Sequence, residues 1–164
     1  MAQPTLEPKT GQHFAVVDLG SFSGLDRFTI ELPNAKREVA GKLFLKQLLN
    51  LTSAEISFNK LAPRQSIPFY HKHHLNEEIY IFIKGNGEFQ VDDTVFPVSE
   101  GTVVRVDWNG ERCWRNNSNE DLYYIVIQAR SGSYEGGTSE DGIGVEKRVS
   151  WVGKEILTKV SQEH

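Results

Sequence analysis

His71-Lys72-His73-His74-Leu75-Asn76-Glu77-Glu78-Ile79-Tyr80-Ile81-Phe82-Ile83-Lys84-Gly85 is the stretch that decides how this chain is read. Its second half alternates, with Glu78, Tyr80 and Phe82 on one parity and Ile79, Ile81 and Ile83 on the other, which is the period of a β-strand. Its first half gathers three of the chain's five histidines within four residues. In extended backbone His71 and His73 project to one face, about 7 Å apart along the chain, and His74 projects to the other. After the polar connection Leu75-Asn76-Glu77, Glu78 returns to the side of the histidine pair. Two imidazoles and one carboxylate on adjacent antiparallel strands form a facial triad, the arrangement that holds non-haem iron or another first-row metal with open positions. Three titratable groups buried on one face without a cation would be costly.

Apolar alternation also dominates outward from this stretch. It marks further strands at 14–19, 28–32, 54–58, 88–91, 102–106 and 122–128, separated by turn chemistry at Gly85-Asn86-Gly87, Asp92-Asp93, Ser99-Glu100-Gly101 and Asn109-Gly110. Spacing of roughly 8 to 12 residues between strands predicts a sandwich or barrel. Two segments read as helical, 39–49 and 154–160, and within the first Lys42-Leu43-Phe44-Leu45-Lys46 also alternates as a strand. The Gly-rich stretch 131–144 reads as a surface loop at the barrel mouth, since no GK[ST] follows its five glycines. The 164 residues are 38% apolar and 24% charged, which suits one domain: an N-terminal extension (1–50), a barrel core (51–130), and a loop with a C-terminal tail (131–164). A formal charge of −4 offers no basic surplus for a phosphate backbone, so nucleic acid is not an expected partner. The longest apolar run, 122–127, is six residues against the roughly 20 of a spanning helix, and no secretory leader is readable, so the expectation is a cytoplasmic protein with no membrane contact. With Cys113 as the only cysteine, no intramolecular disulfide can form.

His71-x-His73-x4-Glu78-x6-Gly85, with Pro68 ahead of it, resembles the first motif of the cupins. A second cupin motif resembles Trp108-Asn109-Gly110-Glu111-Arg112-Cys113 followed by Asn116 or Asn117, with Cys113 standing where the family has a further ligand histidine. The resemblance spans 51–130. It implies an all-β fold, a small barrel of the double-stranded β-helix or jelly-roll type that is commonly dimeric. It also implies a divalent metal (iron, manganese, nickel, zinc or copper) held by His71, His73 and Glu78. The alternating strands of the N-terminal extension add to the expectation of a homodimer, since one barrel need not absorb them.

A cysteine sulfur lies nearer its backbone than an imidazole Nε2, so on the usual cupin path the Cys113 thiol falls roughly 2 Å short of the metal and leaves a position for water or substrate. If the strand moves inward, a thiolate joins the ligands and favours a softer metal. Trp108, Arg105, Tyr80, Phe82, Tyr124 and Gln128 lie on strands around the site and line it wherever their parity is inward. Glu77, His74, Tyr80 and Cys113 are candidates for moving protons, and Arg105, if inward, for meeting a substrate carboxylate. Two functions follow as expectations. One is a metal-dependent enzyme, dioxygenase- or isomerase-type, acting on a small polar metabolite. The other is a binding or sensor module that captures a small molecule without chemistry.

Overall fold

The computed structural model describes residues 4–32 and 37–157. These fall into two units, Met1–Ser131 and Gly132–His164. Among the described residues, the first unit carries all the regular structure. A hairpin of β1 (Lys9–Thr10) and β2 (Ala15–Val16) is followed by a 3₁₀ helix (Phe22–Arg27) and a second hairpin, β3 (Thr29–Leu32) with β4 (Arg37–Ala40). Then come β5 (Lys42–Phe44), a one-turn helix α1 (Lys46–Leu49), β6 (Ala54–Leu61), β7 (Asn76–Lys84), β8 (Asn86–Val91), β9 (Thr94–Ser99), β10 (Val103–Val106), β11 (Arg112–Arg115) and β12 (Leu122–Arg130).

Two antiparallel sheets are built from these strands, one in the order β10-β7-β12-β6-β5 and one in the order β11-β8-β9. Their inward faces share one core. Tyr80, Phe82, Val104, Val106, Tyr124 and Val126 come from the larger sheet, and Phe89, Val98 and Trp114 from the smaller. The chain passes from one sheet to the other at Gly85. Its φ of 93° and the carbonyl oxygen of Asp121, 2.4 Å from where a Cβ would sit, leave room only for glycine.

Register in the larger sheet sorts its inward residues into rows. Val106, Glu78, Gln128 and Glu55 form one row; Val104, Tyr80, Val126, Ser57 and Phe44 the next; Phe82, Tyr124, Asn59 and Lys42 the third. A carboxylate and a lysine thus lie at opposite ends of one sheet face. Because side chains alternate, Leu43 turns outward and packs with Leu25, Phe28, Tyr123 and Phe58 in a second, smaller core under the N-terminal segments.

Several expectations are corrected. The predicted helix at 39–49 is strand through Phe44 and helical only at Lys46–Leu49. The alternation Lys42/Phe44 in and Leu43 out fits pairing with β6, and Asn50 in the left-handed region ends the single turn. The strand at 14–19 shrinks to Ala15–Val16, with the following residues turning into the 3₁₀ helix. Residues 154–157 are not helical, and the rest of the helix predicted at 154–160 lies outside the described residues. In the second unit, the described residues are turns and bends without strand or helix, with local contacts such as Gly137 N donating to Glu140 Oε2 at 2.7 Å. No helix among the described residues is long and apolar enough to cross a membrane.

Candidate metal centre

Residues 65–73 form no regular strand with β7, contrary to the expected neighbouring-strand arrangement. They run beside β11 instead. Ile67 N donates to Trp114 O at 3.0 Å, and His71 and Arg112 exchange both backbone bonds, His71 N to Arg112 O at 3.2 Å and Arg112 N to His71 O at 3.1 Å. Pro68 has no N–H to give a continuous ladder, which limits the pairing to isolated bridges. His73 N is fixed by Trp108 O at 2.9 Å. His71 and His73 therefore arrive on a strap held by the smaller sheet, while Glu78 arrives on β7 of the larger one.

The three side chains meet. One donor atom each from His71, His73 and Glu78 lies within 4.8 Å of the others. Nε2 of His73 is 3.2 Å from Glu78 Oε1, and Nε2 of His71 is 3.5 Å from Glu78 Oε2. The two rings stand nearly perpendicular, at 89°. Donors at such separations, two imidazole nitrogens and one carboxylate oxygen, can hold a first-row divalent metal. Nδ1 of His71 is buried without a hydrogen-bond partner.

Protonation suits that role. Burial pushes the His73 imidazole below its ordinary value; Glu78 pulls it back up, while the charges of Arg112 and His71 oppose that pull. Burial works to raise the Glu78 pKa, but hydrogen bonding with His71, Tyr80 and Arg112 and the guanidinium's charge overcome it and hold the carboxyl far below the usual carboxylate range. A neutral imidazole and an ionised carboxylate are the ligand forms.

The residue that most shapes the site is Arg112, which sequence reasoning missed. It is fully buried. Its Nη2 and Nε donate to Glu78 Oε2 at 2.7 and 3.1 Å, and its Nη1 donates to Gly110 O at 2.8 Å. Tyr80 Oη donates to the same Oε2, so one oxygen of Glu78 is saturated by the protein. The other, Oε1, accepts from Gln128 Nε2 at 3.3 Å, and Asn76 Nδ2 in turn donates to Gln128 Oε1 at 3.1 Å.

Cys113 points the other way. On β11 Arg112 and Trp114 are inward, while Cys113 Sγ lies 4.0 Å from Gln90 Oε1 and lines a separate hollow with Ser66, Val95 and Arg115. The burial demand of Trp114 was the signal available, since inward Trp114 forces Arg112 inward and Cys113 outward. Of the two asparagines that could close the second motif, Asn116 is buried, its Nδ2 donating to the carbonyls of Leu61, Ala62 and Glu120. Arg112 thus precedes that asparagine by four residues and occupies the inward position.

The remaining candidates divide. Tyr124 and Gln128 line the main cavity, as Tyr80 does, and Phe82 is core. Burial and the Glu78 charge raise the Tyr80 pKa, keeping the phenol protonated as a donor to Glu78. Arg105 lies on the outer face of β10, 2.5 Å from Glu77 Oε2 and 2.6 Å from Asp107 Oδ1, away from the cavity. Glu77 is outward with it, and His74 and Trp108 are exposed. The cavity beside the three donors encloses about 450 Å³. Ile30, Val39, Phe44, Ile67, Phe69 and Val126 supply its apolar walls.

A cupin domain family model matches residues 58–128. A cupin protein of known structure from Bacteroides fragilis is 31% identical, with 71% of this chain and 97% of that chain covered and a TM-score of 0.62. A predicted oxalate decarboxylase from Thermotoga maritima is 25% identical over 67% of this chain and 96% of that one, with a TM-score of 0.54. A sugar phosphate isomerase of the cupin superfamily from Silicibacter pomeroyi shares the fold, at 17% identity, 56% and 60% coverage and a TM-score of 0.50. A search of curated proteins gave no match.

Proposed function

This chain belongs to the cupin superfamily, and on that premise we propose that it is a metal-dependent enzyme that acts on a small organic molecule. The observation that carries the reading is the meeting of His71, His73 and Glu78 donor atoms within 4.8 Å beside a cavity of about 450 Å³. A divalent metal held there would supply Lewis acidity and an open position for substrate or water. The chain's own residues do the rest. Arg112 and Tyr80 pin Oε2 of Glu78, which fixes the carboxylate plane and leaves Oε1 toward His73 and Gln128. Gln128, oriented by Asn76, also reaches His73 Nε2 at 3.2 Å and sets how that ring is presented. The apolar walls exclude water from whatever binds. Dioxygenase- or isomerase-type chemistry is the finer assignment we place on this site.

One observation favours the alternative, a binding module. Tyr80 is committed to Glu78 and Arg105 lies outside the cavity, so two of the expected proton-moving or substrate-meeting groups are spent elsewhere. Metal-loaded protein that binds small molecules but turns none over, aerobically or anaerobically, decides for that reading.

The test of the metal site is metal content. Purified wild type takes up about one divalent ion per chain, and His73→Ala loses it while keeping the β circular-dichroism spectrum. Cys113→Ser retains the metal, because its side chain faces the other side of β11. Unchanged metal in His73→Ala, by plasma mass spectrometry, overturns the assignment.

The protein is also proposed to be a homodimer. Support comes from exposed apolar residues on short or edge strands: Val103 on β10 is 59% exposed, and Phe14 and Val16 at the first hairpin are about half exposed. Light scattering at micromolar concentration is expected to give twice the chain mass of 18.6 kDa, and a monomer mass refutes it.

A further inference from the structure

The charged groups lining the cavity are accounted for by direct partners, with one exception. Lys60 pairs with Asp26 and with Asp121, the latter at 3.1 Å. Glu55 Oε1 caps the one-turn helix, accepting from Leu45 N at 3.2 Å and Lys46 N at 2.9 Å. Glu78 is held by Arg112 and Tyr80. Lys42 lines the same cavity, and among the described residues no hydrogen bond or ion pair engages its amine. Its Nζ lies over the face of the Phe44 ring, 4.8 Å from the centroid.

That placement has a structural cause. Lys42 sits on the inward parity of β5, opposite Asn59, and Gly41 before it has a φ of 84° and lies against Lys60 O, so the strand cannot roll the lysine outward without losing this close approach. Desolvation lowers the pKa of the amine, against the opposing pull first of Glu78 and then of Glu55. Those carboxylates act on it only through space, each being bonded elsewhere. An ammonium in this position lacks the water it would have outside and the anion it would have in a finished ion pair.

Resting on the metal-site reading above, we propose that the cavity takes a small organic monocarboxylate, whose anionic end pairs with Lys42 and whose body lies along the apolar walls toward His71, His73 and Glu78. A single uncommitted cation matches a single negative charge. Beside it on that face Asn59 Nδ2 is turned to Ser57, donating to Ser57 Oγ at 3.0 Å and to Ser57 O at 2.9 Å, and the other lining lysine, Lys60, is held by Asp26 and Asp121, so a second uncommitted cation for a phosphate dianion is not offered among the described residues. The apolar lining selects against a fully hydroxylated ligand. Glu78 and Lys42 occupy the first and last of three inward rows, so a molecule bonded to the one extends toward the other.

The probes are hexanoate and benzoate, each with its own amide as a size-matched neutral control, titrated calorimetrically into metal-free and metal-loaded protein. In the metal-free protein each carboxylate is expected to bind at least about tenfold tighter than its amide, as one desolvated charge-assisted bond allows. Lys42→Met removes that preference while leaving metal content and amide binding unchanged, and Lys42→Arg keeps part of it. Equal binding of carboxylate and amide to the metal-free wild type, or a preference that survives Lys42→Met, overturns the proposal. A failure of the metal reading is separate: the wild type would then take up no metal, while the metal-free titrations would still report on Lys42.

Discussion

Arg112→Met destabilises the metal-free protein by about 3 to 5 kcal/mol, the usual cost of removing one partner of a buried ion pair and leaving the other charge uncompensated. Glu78 is 6% exposed and Arg112 is fully buried, so water cannot take the guanidinium's place at Oε2. Methionine fills much of the volume and keeps the apolar stem, which isolates the charge from the packing. The carbonyl of Gly110 also loses its donor. Urea denaturation checks the figure, and a loss under about 1 kcal/mol would show that the pair contributes no more than a surface one. Adding Glu78→Gln to the variant recovers part of the loss, because the unpaired charge is then gone. The pH dependence has a definite direction. A carboxyl with a depressed folded-state pKa contributes stability that is full above its ordinary value of 4.5 and falls away as the pH drops below it. Without the guanidinium the depression shrinks, so the stability gap between wild type and variant narrows on acidification.

Phe89→Ala costs about 3 to 5 kcal/mol, the range for truncating a fully buried aromatic. Phe89 has no exposed surface and stacks on Trp114 with centroids 5.6 Å apart and planes 5° apart. It also stacks on Phe96 at 5.8 Å and meets the edge of Tyr80 at 4.8 Å. These rings join the smaller sheet to the larger, so the cavity left behind has walls from both and collapses poorly. For a chain of this length the melting temperature falls by roughly 10 °C or more, which calorimetry measures directly. A loss under about 2 kcal/mol would mean that the aromatic cluster repacks. Tyr80 is the ring through which the damage reaches the site, since its hydroxyl is bonded to Glu78.

Much of this was readable in the sequence, for a physical reason. Strand β7 alternates in burial from Glu78 to Phe82 because one face packs the core, and alternation is visible at any length beyond four or five residues. The parity of Glu78, Tyr80 and Phe82 followed at once, and with it the meeting of Glu78 with His71 and His73. The four-residue strand β11 was too short to announce its parity, and a slip of one residue exchanges Arg112 for Cys113 at the site. Residues 39–49 misled because a three-residue strand beside a single helical turn sums to a pattern close to an amphipathic helix. Lys42 was invisible as a cavity residue for the same reason. Arg105 was legible only as a charge, and its outward parity depended on pairing with β7, a long-range contact that local pattern does not encode.

The bridge between His71 and Arg112 ties two opposite chemical duties to one pair of peptide groups. His71 offers a lone pair to a cation, and Arg112 supplies the cationic counterweight to the carboxylate beside it. Because the two backbones exchange both of their hydrogen bonds, neither residue can drift from the centre without carrying the other along. Backbone displacement at His71 is therefore transmitted to Arg112, and a movement of the strap that draws the one main chain from Glu78 strains the hold on the other.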